Sequence, residues 1–253
     1  MKADHAISIK TPDEIKILRD AGRILSSVIH EVTCSLKSGM TTREVDRKAE
    51  DLILAQKVTP AFKGYRGFPG CVCVSVNEQV VHGIPGDRVL IDGDIVSLDA
   101  GIIHRGYYSD TAVTVAIGKI RPELQKLMEV TRESLYQGIA QARLGNHLSD
   151  ISHAVQKYVE AHRFSVVKEF VGHGIGKNLH EDPEIPNFGA PHQGPVLREG
   201  MVFAIEPMVN LGEAPTRILD DGWTVVTKDG KPSAHFEHSV VIGRDGPEIL
   251  TGQ

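Results

Sequence analysis

The chain has 253 residues, 41% hydrophobic and 24% charged, the profile of an ordinary soluble globular protein with room for one large α/β domain or two small ones. A net charge of −5 argues against a broad nucleic-acid-binding face, which would carry a basic excess. There is no apolar run of transmembrane length, and the start, Met1-Lys2-Ala3-Asp4-His5, is too polar for a signal peptide. Cys34, Cys71 and Cys73 form an odd set without zinc-finger spacing, which fits a reducing cytoplasm better than a disulfide framework.

In chain order, Thr11 is the expected N-cap of a first helix, with Pro12 at N1 and Glu14 completing a capping box. Ile15, Leu18, Ala21, Leu25, Val28, Ile29 and Val32 then share one face. Gly39 ends that region, and a second box, Thr41 with Glu44, opens a helix carrying Val45, Ala49, Leu52 and Ile53. A Gly/Pro/aromatic loop, Gly64 to Gly70, leads to a strand from Cys71 to Val76 and a loop holding His82-Gly83-Ile84-Pro85. Strands are expected over 94–103 and 107–117, with Gly106 near the turn between them.

The second half repeats this plan. Pro122 opens a long helix to about Arg143, Gly145 breaks it, and Ser149 is the expected cap of a helix carrying Ile151, Val155, Tyr158 and Val159. One constant offset superposes Gly39 on Gly145, Val45 on Ile151, Ala49 on Val155, Leu52 on Tyr158 and Ile53 on Val159. Helices followed by strands, twice, with no Ser/Pro-rich linker between, predict a single domain over 1–253 made of related halves, about 11–118 and 119–245, packing their sheets together.

Against this frame stand Asp99, Asp110, His173, Glu206 and Glu237, each in an apolar or glycine-rich setting. Asp99 closes the run Asp94 to Leu98, Asp110 opens Thr111 to Val115, and Glu206 ends Met201 to Ile205. Glu237 lies within His235 to Ile242. A lone Asp at a strand end is more often a turn or cap residue. Four carboxylates and one imidazole at the edges of buried strands need a compensating charge, because ionised groups are rarely left unpaired out of water. No matching set of cationic residues accompanies them, so the pattern points to an oxygen-rich site able to hold two divalent ions.

These segments resemble the type I methionine aminopeptidases, M24 metallopeptidases of the pita-bread fold shared with prolidase and aminopeptidase P. The resemblance is carried by Ser75-Val76-Asn77-Glu78, His82-Gly83-Ile84-Pro85, Asp92-Gly93-Asp94-Ile95-Val96 and Leu98-Asp99. It continues through Tyr108-Ser109-Asp110-Thr111, Gly172-His173-Gly174-Ile175-Gly176, His180-Glu181-Asp182-Pro183, Ile205-Glu206-Pro207 and Glu237-His238. It spans nearly the whole chain in order. The interval between His173 and Glu206 is too short for the helical insertion of the type II group, and the early first helix leaves no N-terminal extension. The resemblance implies an α+β pita-bread fold, two pseudo-symmetric halves with central antiparallel sheets covered by helices.

It also implies roles. Asp99 would chelate one ion, His173 and Glu206 the other, and Asp110 and Glu237 would bridge both. Such a donor set suits Co, Mn, Fe, Zn or Mg without deciding among them. His180 would stabilise the scissile carbonyl, His82 would assist at the substrate amide, and Glu206 would relay the proton from nucleophile to leaving amine. Phe62, Tyr65, Phe68, Cys73, Leu179 and Trp223 would line an apolar pocket for an unbranched thioether, although any one of them taken singly reads as ordinary core. Leu179, where an aromatic is common, and Arg66 in the aromatic loop depart from the usual bacterial pattern. His104, His153, His162 and His192 read as surface or structural, and His238 points away from its neighbour Glu237.

The implied activity is a metal-dependent hydrolase that removes the initiator methionine from nascent polypeptides when the second residue is small. A proline-specific peptidase of the same fold is the nearest rival. It usually carries a large N-terminal domain, for which the roughly 70 residues before the first strand leave no room. A non-enzymatic binding module of this fold would be expected to have lost metal ligands, and all five are present. The expected partner is the nascent N-terminus, with at most transient ribosome contact, and the expected state is a cytoplasmic monomer without membrane or specific nucleic-acid partners.

Overall fold

A computed structural model describes residues 7–252; the polar stretch Met1 to His5 lies outside the described residues. The first half contains α1 (Pro12–Ser35), α2 (Thr42–Ala55), β1 (Thr59–Pro60), β2 (Val72–Val76), β3 (Gln79–Val81), β4 (Ile95–His104) and β5 (Tyr107–Ala116). The second has α3 (Pro122–Gln141), α4 (Leu148–Ala161), β6 (Ser165–Val166), β7 (Gly172–Gly174), β8 (Glu181–Ile185) and β9 (Val202–Ile205). It continues with β10 (Met208–Asn210), β11 (Thr216–Ile218), β12 (Val225–Thr227), β13 (Ser233–His235), β14 (Glu237–Ile242) and β15 (Pro247–Ile249).

Both expected capping boxes form: Glu14 reaches back to the Thr11 N–H at 2.8 Å and Glu44 to the Thr41 N–H at 2.7 Å. The start of α4 differs from expectation. His147, not Ser149, is the N-cap, and the Asp150 carboxylate accepts from its backbone N–H at 2.8 Å. Ser149 lies one residue inside the helix, where its Oγ instead accepts from the Gln193 N–H. The repeat explains the shift, since His147 and Asp150 occupy the places of Thr41 and Glu44. Both N-caps also form an isolated bridge to a later segment, Thr41 to Val89 and His147 to Val196.

The strands form one antiparallel sheet of nine in the order β1-β4-β5-β14-β9-β7-β8, with β2 on β4 and β15 on β14. Thus the halves do not pack two separate sheets; they share one, joined where β5 pairs with β14. A smaller sheet also crosses between them through β3 and β12. Helices α1 and α2 bury Leu25, Val45 and Ile53 against Val74, Leu98 and Ile102. Helices α3 and α4 bury Leu127, Ile151 and Val155 against Phe203, Val240 and Ile242. Val113 on β5 packs against both clusters, which ties the two cores through the strand at the junction.

Candidate metal centre and its pocket

Strands β4, β5, β14, β9 and β7 are consecutive neighbours, and each delivers or leads into one of the five candidate ligands. Their register fixes the face. Asp99 and Glu237 both stand opposite Ala112, from either side, and Asp110 is two residues before it. His173 is opposite Ala204, and Glu206 lies two residues beyond that alanine. Alternation along a strand returns every second side chain to the same side, so all five project from one face. The small side chains of Ala112 and Ala204 leave room between them.

These groups are buried: Asp99, Asp110, His173 and Glu237 are all under a tenth exposed, and the Glu206 side chain is 12% exposed. His173 Nδ1 is 2.9 Å from the Gly174 carbonyl oxygen, which leaves Nε2 toward Glu206 Oε1 at 3.6 Å and Asp110 Oδ2 at 4.0 Å. Ligand atoms of Asp110, His173 and Glu237 lie within 4.8 Å of one another. Burial pushes the carboxyls of Asp99, Asp110, Glu206 and Glu237 upward, and for Asp99, Asp110 and Glu237 repulsion from neighbouring carboxylates adds to it. His173 is driven down to about 3, chiefly by burial and then by His180, so it is a neutral donor and not half of an ion pair.

The residues fit a divalent metal. Asp99 Oδ1, Asp110 Oδ1 and Glu237 Oε1 are buried with no hydrogen-bond partner among the described residues. Three orphaned carboxylate oxygens facing one cavity are costly unless a cation satisfies them. Four carboxylates and one imidazole make a hard-to-borderline donor set. The surrounding framework supports the ligands: Ser239 Oγ accepts from the Asp110 N–H and donates to its carbonyl, Thr111 Oγ1 donates to the Glu237 carbonyl, and the Asn187 amide donates to the Glu206 carbonyl.

One cavity is lined by all the residues singled out from sequence: the five above with His82, His180, Phe62, Tyr65, Phe68, Cys73, Leu179 and Trp223. Tyr65 Oη is 2.9 Å from His180 Nδ1 and its ring stacks on the imidazole at 5.5 Å. His180 in turn lies 4.3 Å from His173, ring to ring. His82 meets Trp223 edge to face at 6.0 Å, and Phe68 packs on Trp223 at 5.2 Å. His82 has a left-handed backbone, φ 58°, and next to it a Cβ on Gly83 would collide with the Val74 carbonyl, so glycine lets the loop press against β2. Burial, then His235 and His180, hold the His82 imidazole down to about 4. Burial raises the Cys73 thiol well above its usual range, which keeps it a protonated, apolar wall. His238 turns to the other face, with Nδ1 2.9 Å from Thr251 Oγ1.

In the cavity wall and packed behind it are residues whose place in the sequence suggests no role. Arg66 and Val81 line it, and Phe170 meets the His82 ring edge to face at 5.7 Å. The most consequential is His235, 1% exposed, with Nε2 3.6 Å from Glu206 Oε2 and neither ring nitrogen hydrogen-bonded among the described residues. Its signal was available: it precedes Glu237 by two, the spacing that returns a side chain to the same face of an extended chain.

A face of five candidate ligands suits a metallopeptidase. The chain belongs to metallopeptidase family M24, whose model matches residues 16–244. Within that family it is similar to methionine aminopeptidase 1 of Bacillus subtilis, 54% identical over 97% of this chain and 99% of that one. It is likewise similar to the crystal structure of methionine aminopeptidase from Thermotoga maritima, with a TM-score of 0.96 and 45% identity over 98% of this chain and all of that one. A prolidase from Pyrococcus horikoshii superposes with a TM-score of 0.79 at 23% identity, over 97% of this chain and 63% of its own, and shares the fold alone.

Proposed function

We propose that the protein is a metal-dependent aminopeptidase that removes an N-terminal methionine from polypeptides whose second residue is small. The carrying observation is the single face on which five neighbouring strands gather Asp99, Asp110, His173, Glu206 and Glu237, beside an apolar pocket. In this reading Asp110 and Glu237 would serve two divalent ions, Asp99 would help hold one of them, and His173 and Glu206 would help hold the other. When bound, such a pair supplies Lewis acidity at the scissile carbonyl and acidifies water at the site. The donor set admits Co, Mn, Fe, Zn or Mg.

The chain's own groups do the rest. In the tautomer in which Tyr65 Oη donates to His180 Nδ1, His180 Nε2 carries the proton and donates to the carbonyl oxygen as charge develops there. Glu206 moves the proton from nucleophile to leaving amine. His235 braces Glu206 through Oε2, leaving Oε1 toward His173 and the metal position. His82, held neutral by burial, faces the substrate amide. Phe62, Tyr65, Phe68, Cys73, Leu179 and Trp223 enclose the methionine side chain by dispersion and sulfur–aromatic contact.

A proline-specific peptidase is disfavoured, since the resemblance to prolidases extends to the fold alone. The full set of candidate ligands disfavours a catalytically inert binding module. We place the enzyme in the cytoplasm as a single catalytic unit over 1–253 and a monomer, acting on nascent N-termini, with ribosome contact at most transient. Among the described residues no helix is long and apolar enough to cross a membrane. The deciding experiment is hydrolysis of Met-Ala-Ser by metal-loaded and chelator-stripped protein, with an Ala-Pro peptide as comparison. Activity only when loaded and only on the methionyl peptide supports the reading; the reverse preference assigns the site to a prolyl peptidase.

A further inference from the structure

We propose that His147, Asp150 and His192 form a second metal site, far simpler than the central one, which binds a single imidazole-preferring transition-metal dication such as zinc. The ion would staple the segment 187–197 to the first turn of α4. The inference does not rest on the function proposed above, because none of the three residues lines the central cavity.

Ligand atoms of the three side chains lie within 4.8 Å of one another. His192 Nδ1 is 3.2 Å from Asp150 Oδ1, already close to the roughly 3.4 Å separation of two ligands on a tetrahedral ion with bonds of about 2.1 Å. The His147 ring centroid is 6.4 Å from that of His192, whose side chain is exposed, so closing the third edge requires only side-chain motion. Two imidazoles and one carboxylate suit zinc, nickel or copper, whereas magnesium or calcium would prefer oxygen.

The backbone presents these ligands with little left to organise. The Ser149 N–H donates to the Gln193 carbonyl and the Leu148 N–H to the Pro195 carbonyl, while the His192 N–H donates to Asp150 Oδ1 at 2.8 Å. The Gly189 N–H donates to Gln156 Oε1, and His153 Nδ1 lies 3.1 Å from the Gly189 carbonyl. Burial raises the Asp150 carboxyl, but backbone hydrogen bonds from His147 and His192 outweigh this and leave it below the ordinary range, so it is charged at neutral pH.

The internal repeat separates ligand from scaffold. At the equivalent place in the first half, Thr41 and Glu44 cap α2 and Thr41 bridges to Val89, with no histidine at either capping position. A threonine there is an ordinary cap. The same local fold thus forms without histidine, and the second half adds two at one spot. The α4 N-terminus disfavours a cation only weakly at such exposure. The Asp150 charge offsets that, and the two imidazole bonds are available beyond it. The staple would matter because the segment it fixes begins at Asn187, whose amide donates to the Glu206 carbonyl.

The test is equilibrium dialysis of the metal-loaded protein against micromolar zinc, with bound metal counted by mass spectrometry, for wild type, His192→Gln and His147→Gln. Both variants keep the half of the cap in which the Asp150 carboxylate accepts from the backbone N–H of residue 147, and the amide oxygen introduced by His147→Gln retains an acceptor for the Asp150 N–H. Wild type should hold one zinc more than either variant, and zinc-edge anomalous diffraction should place that ion between the three side chains. Equal zinc counts in all three proteins, or an extra ion located elsewhere, would overturn the proposal.

Discussion

His235 Nε2 approaches Glu206 Oε2 to 3.6 Å, with the imidazole 1% exposed and neither ring nitrogen hydrogen-bonded among the described residues. A neutral imidazole has one donor and one acceptor to satisfy, and leaving either unmet when buried costs about 1–3 kcal/mol. His235 therefore has a structural reason to close onto Glu206 in the working enzyme. His235→Leu should lower kcat by about 10–10²-fold, the rate equivalent of that energy, with little change in KM. His235→Gln, which keeps a donor on that face, should recover most of the loss. Bound metal, measured by mass spectrometry, should be unchanged in both. Parallel loss of metal and activity would make His235 a ligand instead.

Removal of a shared ligand should be the most damaging change at the centre. Asp110→Ala or Glu237→Ala is expected to abolish Met-Ala-Ser hydrolysis and to lower metal content, because in the proposed arrangement each would serve both metal positions. Chelator-stripped wild type should regain turnover on addition of Co²⁺, Mn²⁺ or Fe²⁺. Full activity in rigorously metal-free buffer would remove the basis of the assignment.

The stripped protein should have its own pH dependence. The carboxyls of Asp99 and Glu206 are raised by burial, to about 7 and about 8. A group whose folded pKa exceeds its unfolded value binds protons preferentially in the native state, so its contribution is full at low pH and lost as pH rises through the folded value. The buried histidines His82, His173 and His238 have depressed values and act oppositely, losing stability as pH falls below about 6.5. Above that they are neutral in both states and only the carboxyls act. The melting temperature of metal-free protein should therefore fall from about pH 6.5 to 8, while metal-loaded protein stays nearly level across that window. Identical profiles by calorimetry would show that these carboxylates are compensated in some other way.

His180 separates chemistry from metal binding. It lies outside the ligand set, anchored by Tyr65 Oη at 2.9 Å. His180→Ala should reduce kcat by about 10²-fold or more with metal content near wild type, as expected for one lost transition-state hydrogen bond. Tyr65→Phe, which removes only the anchor, should cost less. If metal departs from His180→Ala in proportion to activity, His180 is a ligand.

Substrate choice follows from crowding beside the metal face. Met-Ala, Met-Gly and Met-Ser peptides should be cleaved, and Met-Lys, Met-Glu or Met-Phe hardly at all. Bulk at the second residue displaces the carbonyl, and an error of about 1 Å in reacting geometry can cost around 10²-fold. N-acetylated Met-Ala-Ser should be inert, because its blocked amine cannot approach the position held by Asp99. Comparable kcat/KM for Met-Ala-Ser and Met-Lys-Ser would falsify this view of the cleft.

The helices and their order were legible in the sequence because their signals are local. Thr11 with Glu14 and Thr41 with Glu44 form the boxes their spacing implies, and Pro122 opens α3. The start of α4 lies two residues before Ser149, the better cap by type, because the Asp150 carboxylate accepts from the His147 N–H in a box at the places of Thr41 and Glu44. Asp99, Asp110, His173, Glu206 and Glu237 were also visible singly, since a charge at the edge of an apolar strand is costly wherever the strand goes.

What the sequence determined by itself was the inventory: which stretches are helix or strand, which face of each is apolar, and which carboxylates would need a partner. Those depend on neighbours within a few residues. The tertiary structure alone decided that β5 of one half pairs with β14 of the other, and that β9 lies between β14 and β7. Registers between strands far apart in the chain set Ala112 between Asp99 and Glu237 and brought His235 against Glu206. No local rule carries such pairings, because they form only when the whole sheet closes and both helical layers bury their faces on it.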